Sequence, residues 1–441
     1  MRAMPKAQST AHLTRRLPRQ LMVLLRQLGR MSDEAGIRLY LVGGVVRDLL
    51  LKREIWDLDL TIEGDGIAFA RLVADRYGAG LAVFDRFATA RLTFSNGLKV
   101  DIASTRSESY VKPAALPNVQ PATLQEDLYR RDFTINAMAL QLNAEQFGQL
   151  YDPYGGQRDL KAKLIRVLHE GSFIDDPTRI FRAIRFVERF GFVLELKTSQ
   201  LLKQAAATNM IANLSGPRLA NEIFLLMQEG DPSRAIESLK RRNLLRFLHP
   251  QLRDGKQVRR LIMSLPRALA WWKQQCPGQR VNRGLLYLMT IVSSAGTSIR
   301  RAIARRLQLS TRETTALEWA GDKTGLAAKI LLRRRDMLPS EVYRLLLNMP
   351  DEAVALVMAK GLTFTRKEGV RPLRMRLLRF MKQDRSMTTI VNGEDLKRLG
   401  LKPGPHFKTI LDRLLDERLD GRITGVAQER DRARTLVERY G

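Results

Sequence analysis

Residues 36–62 read GIRLYLVGGVVRDLLLKREIWDLDLTI, and the fold of the chain begins to be legible there. Residues 36–42 (GIRLYLV) read as a strand. Residues 55–62 (IWDLDLTI) alternate polar and apolar side chains, the period of two that marks a half-buried strand. Between them Gly43 and Gly44 stand directly after the first strand and before a helix. Glycines there allow a close backbone approach to a phosphate at the helix N-terminus. Arg47 falls on the first or second turn of that helix, within reach of the same anion. Asp57 and Asp59 are two apart on the second strand, so both carboxylates leave one face. Side by side they repel each other, and a divalent cation relieves that cost. Mg²⁺ suits them, because it takes oxygen ligands and shares its sphere with substrate phosphates.

Working outward, apolar residues recur at helical spacing between Leu17 and Ala35 (Leu21, Leu24, Leu25, Leu28, Met31), which predicts a leading helix. A helix is expected over 66–78. Strands are expected over 81–84 and 89–94, and over 98–103 (LKVDIA) after the Ser95-Asn96-Gly97 turn. The last strand carries Asp101, a candidate third carboxylate. Taken singly, a glycine pair is usually a turn and an Asp-x-Asp a solvated strand face. Together, a glycine pair opening a helix, an aspartate pair about ten residues on and a further strand aspartate are what two-metal nucleotidyl transfer requires. After Asp175 strand signals become scarce. Helical periodicity runs through 176–190, 216–229, 233–246, 298–307, 311–320, 338–348, 351–360 and 406–418, with Pro/Gly breaks near 249, 277–278, 349–350 and 403–405.

The whole chain of 441 residues is 44% hydrophobic and 27% charged, the composition of a core-forming protein of about three structural units. Its single cysteine, Cys276, excludes a disulfide framework or a multi-cysteine zinc site and fits a reducing compartment. No apolar run approaches the roughly 18 residues of a membrane span, and no apolar stretch follows the N-terminal charges as in a secretory signal, so a cytoplasmic protein without a membrane partner is expected. Lys and Arg number 75 against 46 Asp and Glu, a net charge of +29. Residues 1–200 carry 29 basic and 23 acidic side chains, and the remaining 241 carry 46 and 23. A basic excess concentrated in the helical part favours a polyanionic partner, nucleic acid above all. The expected organisation is a flexible basic arm over 1–16, a mixed α/β head over 17–165, a helical neck over 166–250 and a helical, RNA-binding body and tail over 251–441.

Further motifs then appear in order: RRDFTINA (130–137), DPYGGQRDLK (152–161), DDPTRIFRAIRF (175–186) and NGEDLKRLGLKPGP (392–405). With LVGGVVRDLLL (41–51) and DLDL they resemble the bacterial class II tRNA nucleotidyltransferase/poly(A) polymerase family, densely over 37–195 and more weakly through the helical body. The resemblance implies an α+β chain: an N-terminal, polymerase-beta-like nucleotidyltransferase head followed by an all-helical basic body and tail. It implies that C, A or both are added from CTP or ATP to the 3′ end of RNA, in particular at the tRNA acceptor arm, with Mg²⁺ and release of pyrophosphate. By the same resemblance Asp57 and Asp59 are the metal-binding catalytic pair and Asp101 the third carboxylate. Gly44 and Arg47, with Gly43 beside them, contact the triphosphate. Arg131, Asp132 and Asn136 read the ribose; Asp176, Arg179, Arg182 and Arg185 read the incoming base. Helical spacing agrees with the last role, since 176, 179 and 182 share a face on which a carboxylate and a guanidinium present acceptor and donors together. The family's base-reading motif commonly begins Glu-Asp, whereas this chain has Asp175-Asp176. That motif, with YVKPAALPNVQP (110–121), leans toward members that add the terminal A.

A poly(A) polymerase is the alternative within the family; the Gly-Arg-Arg-Phe-like stretch such enzymes carry has here only Phe84-Asp85-Arg86-Phe87 as its counterpart. A non-catalytic RNA-binding protein would predict broken carboxylates, and all three are present. The segment Ser107–Gln125, rich in Pro and Ala, is expected to be a mobile loop beside the site. His12, His169, His249 and His406 show no ligand spacing. Trp271-Trp272 reads as core or groove wall more than as a base-stacking pair, and Arg333-Arg334-Arg335 as a solvated helix face or a phosphate contact.

Overall fold

The computed structural model describes residues 17–55, 58–252, 255–365 and 367–440. The expected arm 1–16 and Asp57 lie outside the described residues. The chain divides into two compact units, one of residues 1–222 with 241–243, the other of 223–240 with 244–441.

The first unit is built on a seven-stranded sheet. Helix α1 (Arg19–Glu34) buries Leu25 and Leu28 and leads into β1 (Arg38–Val42), buried after its first residue. Gly43, with φ of 73°, turns the chain into α2 (Gly44–Leu50), a backbone angle that side-chain-bearing residues adopt only with strain. Strand β2 (Leu58–Glu63) pairs antiparallel with β1. Helix α3 (Gly66–Tyr77) is capped by the Asp65 carboxylate, which accepts from the Ile67 and Ala68 N–H groups, and ends at left-handed Gly78; such a cap contributes about 1 kcal/mol. The chain then runs through β3 (Gly80–Phe84), β4 (Thr89–Thr93) and β5 (Lys99–Ser104). Strand β5 lies parallel to β2, so β2–β5 form a crossover with α3 packed on β4 and β5. The predicted strands and helix of this region agree with these within a few residues.

Residues 107–125 depart from the expectation of an irregular loop. Strands β6 (Arg106–Ser109) and β7 (Asn118–Pro121) pair antiparallel, Arg106 opposite Pro121 and Ser109 opposite Asn118. Both strands have only four residues and little apolar alternation, and Pro121, which cannot donate to a ladder, closes the second; neither leaves a periodic trace in the sequence. Helix α4 (Leu124–Tyr129) follows, opened by a Thr123–Glu126 capping box. The short strands β8 (Ala139–Gln141) and β9 (Leu150–Tyr151) complete the sheet in the order β3-β4-β5-β2-β1-β8-β9. After α5 (Gly156–Ala162), β10 (Leu164–Ile165) and α6 (Ser172–Asp175) comes α7 (Thr178–Phe190), which buries Ile180, Phe181, Ala183 and Ile184. Strand β11 (Val193–Leu194), α8 (Leu196–Ala207) and the first half of α9 (Gly216–Gln228) close this unit.

The second unit is helical throughout its described residues. The helices α10 (Pro232–Arg241), α11 (Lys256–Gln275), α12 (Arg283–Ile291), α13 (Thr297–Leu307), α14 (Thr311–Trp319), α15 (Asp322–Arg333), α16 (Pro339–Leu346) and α17 (Asp351–Phe364) follow one another. Helix α17 is buried from Glu352 to Ala359 without a break, which makes it a core helix, and α11 and α15 pack on it. Trp272 is buried on α11, its indole N–H donating to the Gln279 carbonyl, so it is core. Arg333, Arg334 and Arg335 are exposed. Helices α18 (Arg371–Lys382), α19 (Gly393–Arg398), α20 (Pro405–Leu419) and α21 (Val426–Tyr440) end the chain, the last three around Leu396, Ile410, Leu414 and Leu436. No helix among the described residues is long and apolar enough to cross a membrane.

One half-buried charge sets a pH dependence here. The Lys360 ammonium donates to the Ala320 and Gly321 carbonyls at 3.1 and 2.7 Å. Burial, with Arg300 adding to it and Asp322 opposing, pushes its pKa from 10.5 down to about 8. The unfolded chain holds that proton to higher pH than the folded one, so stability rises as pH climbs from about 8 toward 10.5, by roughly 3 kcal/mol in all. Thermal melts of the wild type and Lys360→Met across that window should diverge, the wild type gaining; parallel curves would refute the assignment.

Candidate active site

A cavity of about 410 Å³ in the first unit is lined by Gly43, Gly44, Arg47, Asp59, Arg131, Asp132, Asn136, Asp176, Arg179 and Arg182. Its size falls in the range of small-ligand pockets. Ten of the thirteen residues singled out in the sequence thus meet at one place. Asp101 and Arg185 are not among its lining residues, and Asp57 lies outside the described residues.

The sheet register supplies the acidic wall. Asp59 on β2 stands opposite Asp101 on β5, and Asp101 opposite Arg91 on β4, so the three side chains share one sheet face. Leu58 and Leu60 on either side of Asp59 are buried while Asp59 is exposed, which is why the alternating pattern located it. Both oxygens of Asp101 accept from Arg91, each at 2.7 Å. With Asp101 so engaged, the exposed oxygen ligand that this described face offers a hard divalent ion is Asp59. Among the described residues no group of three or more His, Cys, Asp or Glu gathers as a metal cluster.

The rest of the lining is a polar network of arginines, carboxylates and an amide. Gly43 lies under Arg131: a Cβ at Gly43 would stand 2.7 Å from Arg131 Nη1. Arg47 is buried, donating bidentately to Asp48 at 2.9 and 2.8 Å and to Asn136 Oδ1 at 2.6 Å, with its guanidinium over the Phe190 ring. Asn136 in turn donates to Asp132 Oδ1 at 2.8 Å. Asp132 Oδ2 accepts from Arg182 Nε and Nη2 at 2.8 and 2.6 Å. Burial opposes ionisation of Asp132, but Arg182 and the Asn136 hydrogen bond overcome it and hold the carboxyl at about 2. Arg131 and Arg130 both pair with the fully buried Asp127, at 3.0 and 2.7 Å.

Helix α7 carries the remaining candidates. Asp176 precedes it, with Oδ1 accepting from the Thr178 N–H and hydroxyl at 3.0 and 2.7 Å. Arg179 donates to the Ser172 hydroxyl at 2.6 Å and to the Arg130 carbonyl at 2.5 Å, which leaves part of its donor fork for a ligand. Arg185 turns instead toward Glu222 at 3.6 Å; burial pushes the Glu222 carboxyl up in spite of that arginine. The cavity also takes in Glu108, Tyr110, Arg130, Thr178 and Phe186, which sequence reasoning did not select. Arg130, Thr178 and Phe186 sat inside the recognised motifs. Glu108 and Tyr110 sat in the segment read as a loop, where Tyr110 donates to Glu108 at 2.8 Å and Glu108 pairs with Arg130.

The sequence matches the family model described as the poly A polymerase head domain over residues 39–166, and that described as the probable RNA and SrmB-binding site of polymerase A over 191–255. It is 39% identical over 416 residues to the A-adding tRNA nucleotidyltransferase of Geobacter sulfurreducens, covering 93% of this chain but 46% of that protein, so the chain spans less than half the length of this relative. Identity to the A-adding tRNA nucleotidyltransferase of Halalkalibacterium halodurans is 34%, covering 91% of this chain and 89% of that one. The structure resembles that of the Thermotoga maritima CCA-adding enzyme complexed with tRNA-CCA, with a TM-score of 0.74, 30% identity and coverage of 99% and 100% of the two chains. Identity of 34% over nearly the full length of the Halalkalibacterium protein and of 30% over the full length of the Thermotoga structure, together with the head-domain match, places the chain in the tRNA nucleotidyltransferase family that carries the poly A polymerase head domain.

Proposed function

We propose that this chain is a template-independent RNA nucleotidyltransferase that adds A from ATP to the 3′ end of a tRNA ending in CC. The observation that carries this reading is a convergence: Asp59, the Gly43-Gly44 turn, the Arg131–Asp132–Asn136 group and the Asp176–Arg179 pair line one 410 Å³ space. A nucleotide held there has its base read by protein side chains, with no template strand. The 3′-hydroxyl of the RNA attacks the α-phosphorus of the bound ATP, and pyrophosphate leaves. Asp57 and Asp59 would hold Mg²⁺, which when bound lowers the pKa of the attacking hydroxyl and steadies the leaving phosphates. The chain's own residues do the rest. Gly43 and Gly44 admit the triphosphate close to the backbone, Arg131, Asp132 and Asn136 meet the ribose, and Asp176 offers an acceptor to the base amino group. The basic second unit grips the acceptor arm largely through phosphates, so RNA affinity falls steeply with salt. The A-adding names of the relatives and their CCA-adding structural counterpart support A and tRNA over other choices. The single cysteine supports a cytoplasmic setting.

Gel-resolved extension of tRNA transcripts ending at the discriminator base, at C and at CC tests this, each with ATP, CTP or both and Mg²⁺. The expected result is one A added to the CC transcript alone. Completion of CCA from the bare transcript would make it a full CCA-adding enzyme. Long A tails would favour the poly(A) polymerase reading to which the head-domain match also points. No extension of any RNA would overturn the enzymatic reading.

A further inference from the structure

Phe190 lies beyond the DDPTRIFRAIRF motif and outside the lining of the cavity, yet two arginines from another element close on its ring. Helical spacing sets it there. Arg182, Phe186 and Phe190 stand four residues apart along α7 and so share one face. The two phenyl rings stack on that face, their centroids 5.7 Å apart and their planes 15° from parallel. Arg47 of α2 packs across both, its guanidinium carbon 5.3 Å from the Phe186 centroid and 4.8 Å from that of Phe190. Arg53 meets Phe190 at 4.7 Å and donates through Nη2 to the Arg189 carbonyl at 3.4 Å. Its backbone N–H donates to the Asp48 carbonyl at 2.9 Å, which curls the chain back after α2. Phe190 is thereby gripped by one arginine of α2 and by another of the turn that follows it.

The ring bears on an arginine that lies against the glycine turn. A Cβ at Gly44 would stand 3.4 Å from Arg47 Nη2. Among the described residues, Asp48 and Asn136 take up three of the five N–H groups of Arg47. The remaining two serve a phosphate only while the guanidinium plane keeps its tilt. Asp48 and Asn136 hold that plane by its edge, whereas the phenyl rings hold it from the side. A ring face attracts a cation through its quadrupole, most strongly where water is excluded, and Arg47 is only 5% exposed. An aliphatic side chain in the same place would fill the space without that attraction.

We propose that Phe190, held by Arg53, is a positioning residue for the triphosphate: it fixes the Arg47 guanidinium against Gly44, so that the far end of the base-facing helix sets the grip on the phosphates. This rests on the reading of Gly44 and Arg47 as triphosphate contacts. The triphosphate is common to ATP and CTP, so the clamp acts on affinity for either nucleotide and not on the choice between them.

The test uses the full chain with Mg²⁺ and a tRNA transcript ending in CC. It measures kcat and KM for ATP, and the inhibition constants of inorganic tripolyphosphate, which carries phosphates alone, and of adenosine, which carries none. Phe190→Leu keeps an apolar side chain and removes the aromatic face. It is expected to raise the KM for ATP and the tripolyphosphate constant about fivefold each, the loss of a desolvated cation–π contact, with adenosine held within about twofold. The change in kcat should be smaller than that in KM. Phe190→Tyr keeps the ring and should restore the wild-type constants. Arg53→Gln, at an exposed position, should weaken tripolyphosphate in the same selective way, and it carries the test if Phe190→Leu does not fold. An unchanged tripolyphosphate constant in either variant, an equal loss for adenosine, or a Phe190→Tyr protein no better than Phe190→Leu overturns the proposal. Arg47→Gln separates the two readings. If it leaves tripolyphosphate inhibition unchanged, the triphosphate assignment itself fails, whereas a loss there without one in Phe190→Leu rejects the clamp alone.

Discussion

Asp59→Ala, and equally Asp57→Ala, should abolish nucleotide transfer, with kcat falling by about a thousandfold or more while affinity for tRNA stays within about twofold. The loss follows from removing an oxygen donor on which several kcal/mol of transition-state charge stabilisation depends, and each 1.4 kcal/mol is a factor of ten. The retained affinity follows from the charge distribution, since most of the basic excess lies beyond residue 200 and RNA binding draws on phosphate contacts there. Folding should survive, because Asp59 is exposed on the strand between two buried leucines. Single-turnover extension alongside a filter-binding measurement checks both halves. Retained transfer would refute the carboxylate assignment, and lost binding would show that the head carries more of the RNA grip than its charge implies.

Asp132→Asn should be the most damaging change to the pocket's architecture. The substitution preserves shape but removes the charge on which Arg182 closes at 2.6 and 2.8 Å. Asp132 is buried but the Arg182 side chain is 34% exposed, so leaving that charge without its partner costs on the order of 2 kcal/mol. For a unit of this size that lowers Tm by about 5 °C. The wild-type group also predicts how the difference changes with pH. Its folded pKa of about 2 lies below the ordinary 3.8. A carboxyl depressed in this way contributes stability that is fully present above about pH 4 and is lost as pH falls through 2, in total on the order of 2 kcal/mol. Melting curves of the two proteins should therefore differ most near neutrality and approach each other toward pH 2. A gap that stays constant over that range would count against Asp132 as the charge that holds Arg182.

Local residue patterns already placed much of this site. The alternation around Asp59 was readable because a strand sends neighbouring side chains to opposite faces. The glycine turn was readable because only a residue without Cβ takes the angle at Gly43 without strain. The hairpin of residues 106–121 was not, since four-residue strands are too short to show a period and hold their register only through each other. Asp101 was found as a strand carboxylate, but its capture by Arg91 depends on which strand lies beside it, and the order of strands in a sheet is not a local property.

By itself the sequence determined the strand–glycine–helix–strand opening, the outward-facing Asp59, the helical second half and the concentration of positive charge there. Each follows from spacing or composition within a short window. The tertiary structure alone decided which polar groups meet. Asp132 and Arg182 are 50 residues apart, Arg47 and Asn136 are 89 apart, and Ala114 and Arg218 are 104 apart. Hydrogen bonds form over 3 Å, and only tertiary packing brings groups so far apart in the chain within that distance, because a bond so short depends on register and packing that no local pattern encodes.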